Sequence, residues 1–254
     1  MTHNGSRFDG KTALITGGSS GMGLATAHRL IAEGARVVVT GRDKKRLDAS
    51  VAQLGGQAHG IAGDATDLDD LDNLAAAVAD RFGHLDLLFA NAGIGSFQTI
   101  EQVTGELFDQ VIGSNLKGAF FTIQKILPLL PDHASIVINA SFGLHLGVPG
   151  SALYSASKAA VHNLTRALAA ELAPRRIRVN AVSPGYIDTP AFRAELSEAA
   201  RQGVAALSPA GRVGTATDVA AAVAFLASAD AAFVNGHDLR VDGGLTAVGA
   251  SALV

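Results

Sequence analysis

The chain reads as a three-layer α/β domain, a doubly wound sheet of seven parallel strands with helices on both faces. Three observations predict this. Short apolar runs alternate with Ala-rich amphipathic stretches almost from end to end, the pattern of βα units stacking side by side. A glycine-rich turn separates the first apolar run from the first helical stretch, as in a dinucleotide-binding unit. No internal repeat, low-complexity block or Pro/Ser linker divides the 254 residues, so 1–254 are expected to form one domain.

Strands are expected at 12–16, 36–40, 58–62, 85–90, 135–140, 178–182 and 238–241, each a short and mainly apolar run. The first helix begins near Leu24 and ends at Gly34, another runs from about 114 to 130, and a third covers 154–172. The stretch 183–214 is the one long irregular segment. It holds Pro184, Gly185, Pro190, Pro209, Gly211 and Gly214 around a helical piece near 191–206, and reads as an active-site lid or a plain surface loop.

With 48% hydrophobic and 17% charged residues the chain can bury a large core and is not disordered. A formal net charge of -3, with Lys44-Lys45-Arg46 as the longest cationic run, argues against nucleic-acid binding. The chain has no cysteine, which excludes disulfides, thiolate catalysis and Cys-ligated zinc, so redox chemistry must come from a cofactor. Residues 1–11 are polar and lack an apolar signal core or membrane span, so no membrane association and a cytoplasmic location are expected. The eight histidines show no HExxH or comparable spacing, and no catalytic metal is expected.

After the first strand comes Thr16-Gly17-Gly18-Ser19-Ser20-Gly21-Met22-Gly23. Gly17 permits a tight turn, Gly21 and Gly23 allow backbone and pyrophosphate to approach, and the helix N-terminus offers free N–H groups. No Lys follows the glycines, which disfavours a phosphoryl-transfer loop. The same run matches GxSxG, so an esterase elbow at Ser19, completed by Asp188 and His237, is the minor alternative. Strand two ends at Arg42 without an acid before it, which favours a 2′-phosphate and hence NADP(H) over NAD(H), although Asp43 is adjacent. Asp64 and Ala65 follow strand three, where a carboxylate can receive an adenine amino group. Asn91-Ala92-Gly93 ends strand four, where small residues let the backbone pass close to a ligand.

Tyr154 and Lys158, four residues apart on a helix, share one face. A phenol titrates near ~10, and an opposite charge within about 4–6 Å lowers such a value by roughly 1–3 units, so the lysine is expected to bring the tyrosine toward neutral pH. Ser141, at the carboxyl end of the fifth strand, can donate to a substrate carbonyl oxygen while Tyr154 moves the proton.

Together these residues resemble the short-chain dehydrogenase/reductase family, through TGGSSGMG at 16–23, Asp64, NAG at 91–93, Asn115, Ser141, YSASK at 154–158 and SPG at 183–185. The likeness covers nearly the whole chain and implies a Rossmann-type, nicotinamide-dependent oxidoreductase. It implies that Tyr154 is the proton donor or acceptor, that Lys158 also holds the nicotinamide ribose, and that Asn115 supports a water-linked proton relay. Pro184, Gly185, Ile187 and Thr189 match the segment that lies against the nicotinamide. Three departures stand out. Ala140 precedes Ser141 where a second serine is frequent, Ala90 replaces a common Asn, and Ser20 stands where many NADP-using relatives carry a basic residue. Coenzyme choice therefore rests mainly on Arg42.

Within the family, TGR at the end of strand two, FANAG at 89–93 and VDGGLTAV at 241–248 are most similar to bacterial ketone reductases and alcohol dehydrogenases, commonly homotetramers. Subunit contacts are then expected from the 154–172 helix, the last strand and the apolar tail 247–254. The substrate wall is expected from Phe142, Gly143, Leu144, His145, Leu146, Val148, Tyr186, Ile187 and Phe192, with Ser96 and Phe97 opposite; His145 either bonds a polar substituent or is a plain loop residue. No Arg or Lys stands among them, so a hydrophobic ketone or secondary alcohol fits better than an anion. An NAD-linked dehydrogenase of a sugar alcohol or steroid, and a coenzyme-binding regulator without chemistry, are the rival readings.

Overall fold

In the computed structural model, which describes residues 6–248, the seven apolar runs form one parallel sheet. Its strands are β1 (Thr12–Ile15), β2 (Arg36–Gly41), β3 (Ala58–Ala62), β4 (Leu87–Ala90), β5 (Ser135–Asn139), β6 (Arg178–Pro184) and, at the far edge, Asp238–Val241. The last is β9, because β7 (Ile187–Asp188) and β8 (Gly214–Thr215) pair with each other outside the main sheet. The order is β3-β2-β1-β4-β5-β6-β9. The chain winds outward from β1 through β2 to β3 and then crosses back to β4, so a crevice opens where β1 and β4 diverge at their carboxyl ends.

Each strand feeds both faces, because successive side chains alternate. On β1, Leu14 enters one core with Val38, Leu88, Ile136 and Val179, while Ala13 and Ile15 enter the other with Val37, Val39, Phe89 and Val137. Helices α3 (Leu68–Phe82), α5 (Gly118–Ile126) and α6 (Ala152–Glu171) cover the first core through Leu74, Val78, Ile123, Ile126 and Val161. Helices α1 (Gly21–Ala32), α2 (Lys44–Leu54) and α9 (Ala216–Ala227) cover the second through Leu30, Leu47, Val219 and Val223. At about 1.5–3 kcal/mol for each fully buried aliphatic side chain, these layers supply the driving force.

The structure revises several boundaries. β4 begins at Leu87, two residues later than expected, and Leu85 is already outside the sheet, its N–H bonded to the Leu129 carbonyl. The helix expected over 114–130 follows α4 (Gly105–Ile112) without a break and is three pieces: a π-helical turn over Gly113–Lys117, then α5, then a 3₁₀ turn at Leu127–Leu129. The irregular segment contains two helices, α7 (Pro190–Glu195) and α8 (Glu198–Leu207), and is fastened at its base by Ile187 pairing with Gly214. Of the expected tail 247–254, residues beyond 248 lie outside the described ones, as do 1–5 at the other end.

Candidate active site

A cavity of about 790 Å³ runs along the carboxyl ends of β1 to β6. At one end is the glycine turn. Gly17 has φ 64°, and a Cβ there would lie 3.2 Å from Ala92 Cα, so the β1 and β4 loops can approach only without side chains. Gly23 does not line the cavity. A Cβ at Gly23 would lie 2.4 Å from the Gly17 carbonyl oxygen, so it lets α1 close against the turn. No side chain caps the α1 N-terminus at Ser20, which leaves its N–H groups for an anion. Asn91 stitches the two loops: its amide donates to Thr16 O at 2.9 Å and Gly17 O at 3.3 Å, and it accepts from Asn139 at 3.0 Å.

At the far side, Arg42 and Arg46 both line the cavity. Arg46 escaped the sequence reading, although it stands one helical turn beyond Arg42. Asp43 is not in the lining; its carboxylate accepts from Arg46 N at 3.0 Å and caps α2. The acid that clouded the coenzyme choice is thus occupied. Asp64 accepts from Thr66 N at 2.9 Å and faces Arg42 at 3.7 Å.

Tyr154, Lys158, Ser141 and Gly93 converge in the middle. Lys158 is 5% exposed, and its ammonium donates to Asn139 O at 2.7 Å. Burial lowers its pKa to about 8. The expected depression of the Tyr154 phenol does not appear. Burial raises it above 10, a hydrogen bond with Ser141 pulls it down, and the Glu195 carboxylate pushes it up again. Lys158 Nζ lies 6.0 Å from the phenol ring centre and is turned toward the Asn139 carbonyl. Ser141 caps the 3₁₀ turn Phe142–Leu144 by accepting from Gly143 N at 3.2 Å.

Asn115 sits in the π-helical turn and is 2% exposed. Its side chain accepts from Ile94 N at 2.8 Å and donates to Ile94 O and to Ser157 Oγ, both at 3.0 Å. The amide therefore holds the strand-four loop to α6, one residue before Lys158. Such single π turns recur at functional sites.

Phe97 stacks at 5.6 Å on Tyr154, and Phe142, Tyr186 and Phe192 form a chain of rings at 4.7 and 6.2 Å. Ser96, Val148 and Ile187 complete this wall, and Thr189, which caps α7, reaches the glycine turn near Gly21. Four expected wall residues are corrected. Gly143 faces a separate surface cavity with Leu146, and Leu144 and His145 line neither. The 3₁₀ turn rotates them away, and His145 bonds Asp238 at 2.7 Å. Glu195, on the exposed face of α7, was missed; it lines the cavity, and nothing local in the sequence marks it.

The glycine turn fits a pyrophosphate, the paired arginines fit the outer end of a dinucleotide, and Tyr154 with Ser141 can move a proton at an oxygen. Fold and site together define a nicotinamide-dependent oxidoreductase. The chain belongs to the short-chain dehydrogenase/reductase family: the family model described as Enoyl-(Acyl carrier protein) reductase matches residues 17–246. It is an NAD(P)-dependent enzyme of that family. It is 43% identical over 95% of its length, and 98% of the relative's, to oxidoreductase asL5 of Sarocladium schorii. The 3-oxoacyl-[acyl-carrier-protein] reductase FabG of Thermotoga maritima is 38% identical, with 94% and 99% covered. The crystal structure of levodione reductase superposes with TM-score 0.90 at 34% identity, covering 96% of this chain and all of that one. No helix among the described residues is long and apolar enough to cross a membrane.

Proposed function

We propose that the protein uses NADPH to reduce a hydrophobic ketone to a secondary alcohol, reversibly, with Tyr154 as general acid and base. The observation that carries the coenzyme half is the pairing of Arg42 with Arg46 at the cavity's end while Asp43 is spent as a helix cap. Two guanidinium groups suit a 2′-phosphate. For the substrate half, the aromatic wall of Phe97, Phe142, Tyr186 and Phe192 surrounds the point where Tyr154 and Ser141 meet.

When bound, the coenzyme supplies the hydride. Ser141 donates to the ketone oxygen and holds it beside Tyr154, whose raised pKa keeps the phenol protonated at neutral pH and ready to give its proton. Lys158, anchored on Asn139, sets a positive charge beside the phenol and the nicotinamide ribose. Asn115 positions Ser157 and the Ile94 loop and supports the relay that restores the proton. The segment 183–214 acts as the lid, carrying the aromatic rings of Tyr186 and Phe192. A cytoplasmic homotetramer completes the reading, supported by the exposed stripe of Ala152, Ala156, Ala159 and Asn163 on α6.

Two observations favour a second reading. Arg42 already faces Asp64 at 3.7 Å and Glu195 adds a carboxylate to the wall, which suits an NAD-linked dehydrogenase of a hydroxyl-rich sugar alcohol or of a steroid. Turnover of NADPH and NADH against small, aromatic and bulky ketones and a 3-oxoacyl thioester, with Tyr154→Phe alongside, tests both. The first reading expects NADPH oxidation with a bulky ketone, reduced about 10²–10⁴-fold in the variant. Coenzyme binding without turnover of any of these would leave a regulator in its place.

A further inference from the structure

Outside the cavity, His145 Nε2 lies 2.7 Å and His162 Nε2 3.6 Å from one oxygen of Asp238, and the three ligand atoms all lie within 4.8 Å of one another. We propose that His145, His162 and Asp238 bind a divalent late first-row cation, with zinc as the matching ion, and that the ion fastens the substrate loop to the sheet edge. Two imidazoles and one carboxylate are an established zinc donor set, with a fourth position left for water.

The geometry needs little adjustment. Zinc bonds of about 2.0–2.2 Å place tetrahedral ligand atoms roughly 3.4 Å apart. The His162 to Asp238 separation of 3.6 Å is close to that value, the His145 ring needs to withdraw from the carboxylate by less than about 1 Å, and the two imidazole nitrogens start within 4.8 Å of each other. Asp238 is also held from behind: Ser183 Oγ donates to its two oxygens at 2.8 and 3.0 Å, the outer support that ligating carboxylates carry. Both histidines keep about a fifth of their side-chain surface in solvent, which leaves a route for entry. Arg166, one turn along α6, opposes a cation here, and the Asp238 carboxylate offsets it.

The three ligands come from three elements. His145 follows the Ser141 turn, His162 is one helical turn beyond Lys158, and Asp238 opens β9, which pairs with the strand ending in Ser183-Pro184. This separation is why no metal-binding spacing shows in the sequence. An ion here would tie the Ser141 turn and α6, which both carry cavity residues, to β9, the neighbour of the strand ending in Pro184, without touching the reacting atoms.

The test is zinc titration calorimetry on tag-free, chelator-stripped full-length protein, with cobalt absorption and thermal unfolding in parallel. The expected result is one zinc ion per chain, a raised Tm, and visible cobalt bands of nitrogen and oxygen ligation. His162→Gln and Asp238→Asn should each abolish all three, and Ser183→Ala should weaken binding by about tenfold. Circular dichroism and NADPH binding confirm that the variants fold; if Asp238→Asn does not, His162→Gln decides alone. Absence of saturable binding near one equivalent, or undiminished binding in folded His162→Gln, overturns the proposal.

Discussion

Lys158 donates its ammonium to the Asn139 carbonyl at 2.7 Å, so the charge beside Tyr154 is moored to the end of β5. The mooring keeps a buried cation in place at some cost. Burial brings its pKa from 10.5 to about 8, so the ammonium is present below about 8 and is lost as pH rises through that value. Ketone reduction should therefore fall above pH about 8. Between about 8 and 10.5 the unfolded chain binds the proton more tightly, so stability rises with pH in that window, by about 3 kcal/mol in all. Unfolding titrations of wild type and Lys158→Met should show the wild type gaining on the variant across that range, and parallel curves would refute the assignment.

Glu195 raises the Tyr154 pKa from across the cavity. Removing the charge in Glu195→Gln takes away a group that disfavours the phenolate, so the phenol pKa falls. Alcohol oxidation, which needs the phenolate, should then gain its alkaline activity at lower pH than in wild type. A pH profile of kcat/KM for oxidation reads the shift directly. An unmoved profile would mean that the carboxylate is too well solvated to act on the phenol.

Arg42 and Arg46 should act together on the 2′-phosphate. Each charge-assisted contact is worth about 1.5–3 kcal/mol, so Arg42→Ala should weaken NADPH binding by roughly 10- to 100-fold and leave NADH binding nearly unchanged. Arg46→Ala should give a smaller effect of the same sign. Dissociation constants for both coenzymes, measured by fluorescence titration, check this; equal losses for NADPH and NADH would remove the basis for NADP preference.

A methyl group at Gly23 would meet the Gly17 carbonyl at 2.4 Å, and backbone cannot rotate away as a side chain can. Gly23→Ala should cost about 1–3 kcal/mol and displace the turn that receives the pyrophosphate. Thermal unfolding and coenzyme affinity should both fall. A variant as stable as wild type would show that α1 can shift outward freely.

The fold class and most of the candidate site could be read from the residues in order. Seven apolar runs, a glycine turn and the Tyr154-Lys158 spacing each depend on neighbours along the chain, where periodicity and sterics act locally. The errors share one cause. Leu144 and His145 are expected on the substrate wall because they stand between Ser141 and Tyr154, yet a 3₁₀ turn takes both out of the cavity and sets His145 against Asp238, some ninety residues away. The π-helical turn at Asn115 is hidden for a related reason: its stretch reads as ordinary helix, and its partners Ile94 and Ser157 come from other elements.

By itself, then, the sequence determined the βα alternation, the glycine turn and the pairing of Tyr154 with Lys158 on one helix, since these follow from spacing within single elements. Only the tertiary structure decided that Asp43 is a cap, that Arg46 joins Arg42, that Glu195 lines the cavity with Tyr154, and that burial outweighs the Ser141 hydrogen bond at the phenol. Those outcomes depend on distance through space and on desolvation, and both arise only when separate elements pack together.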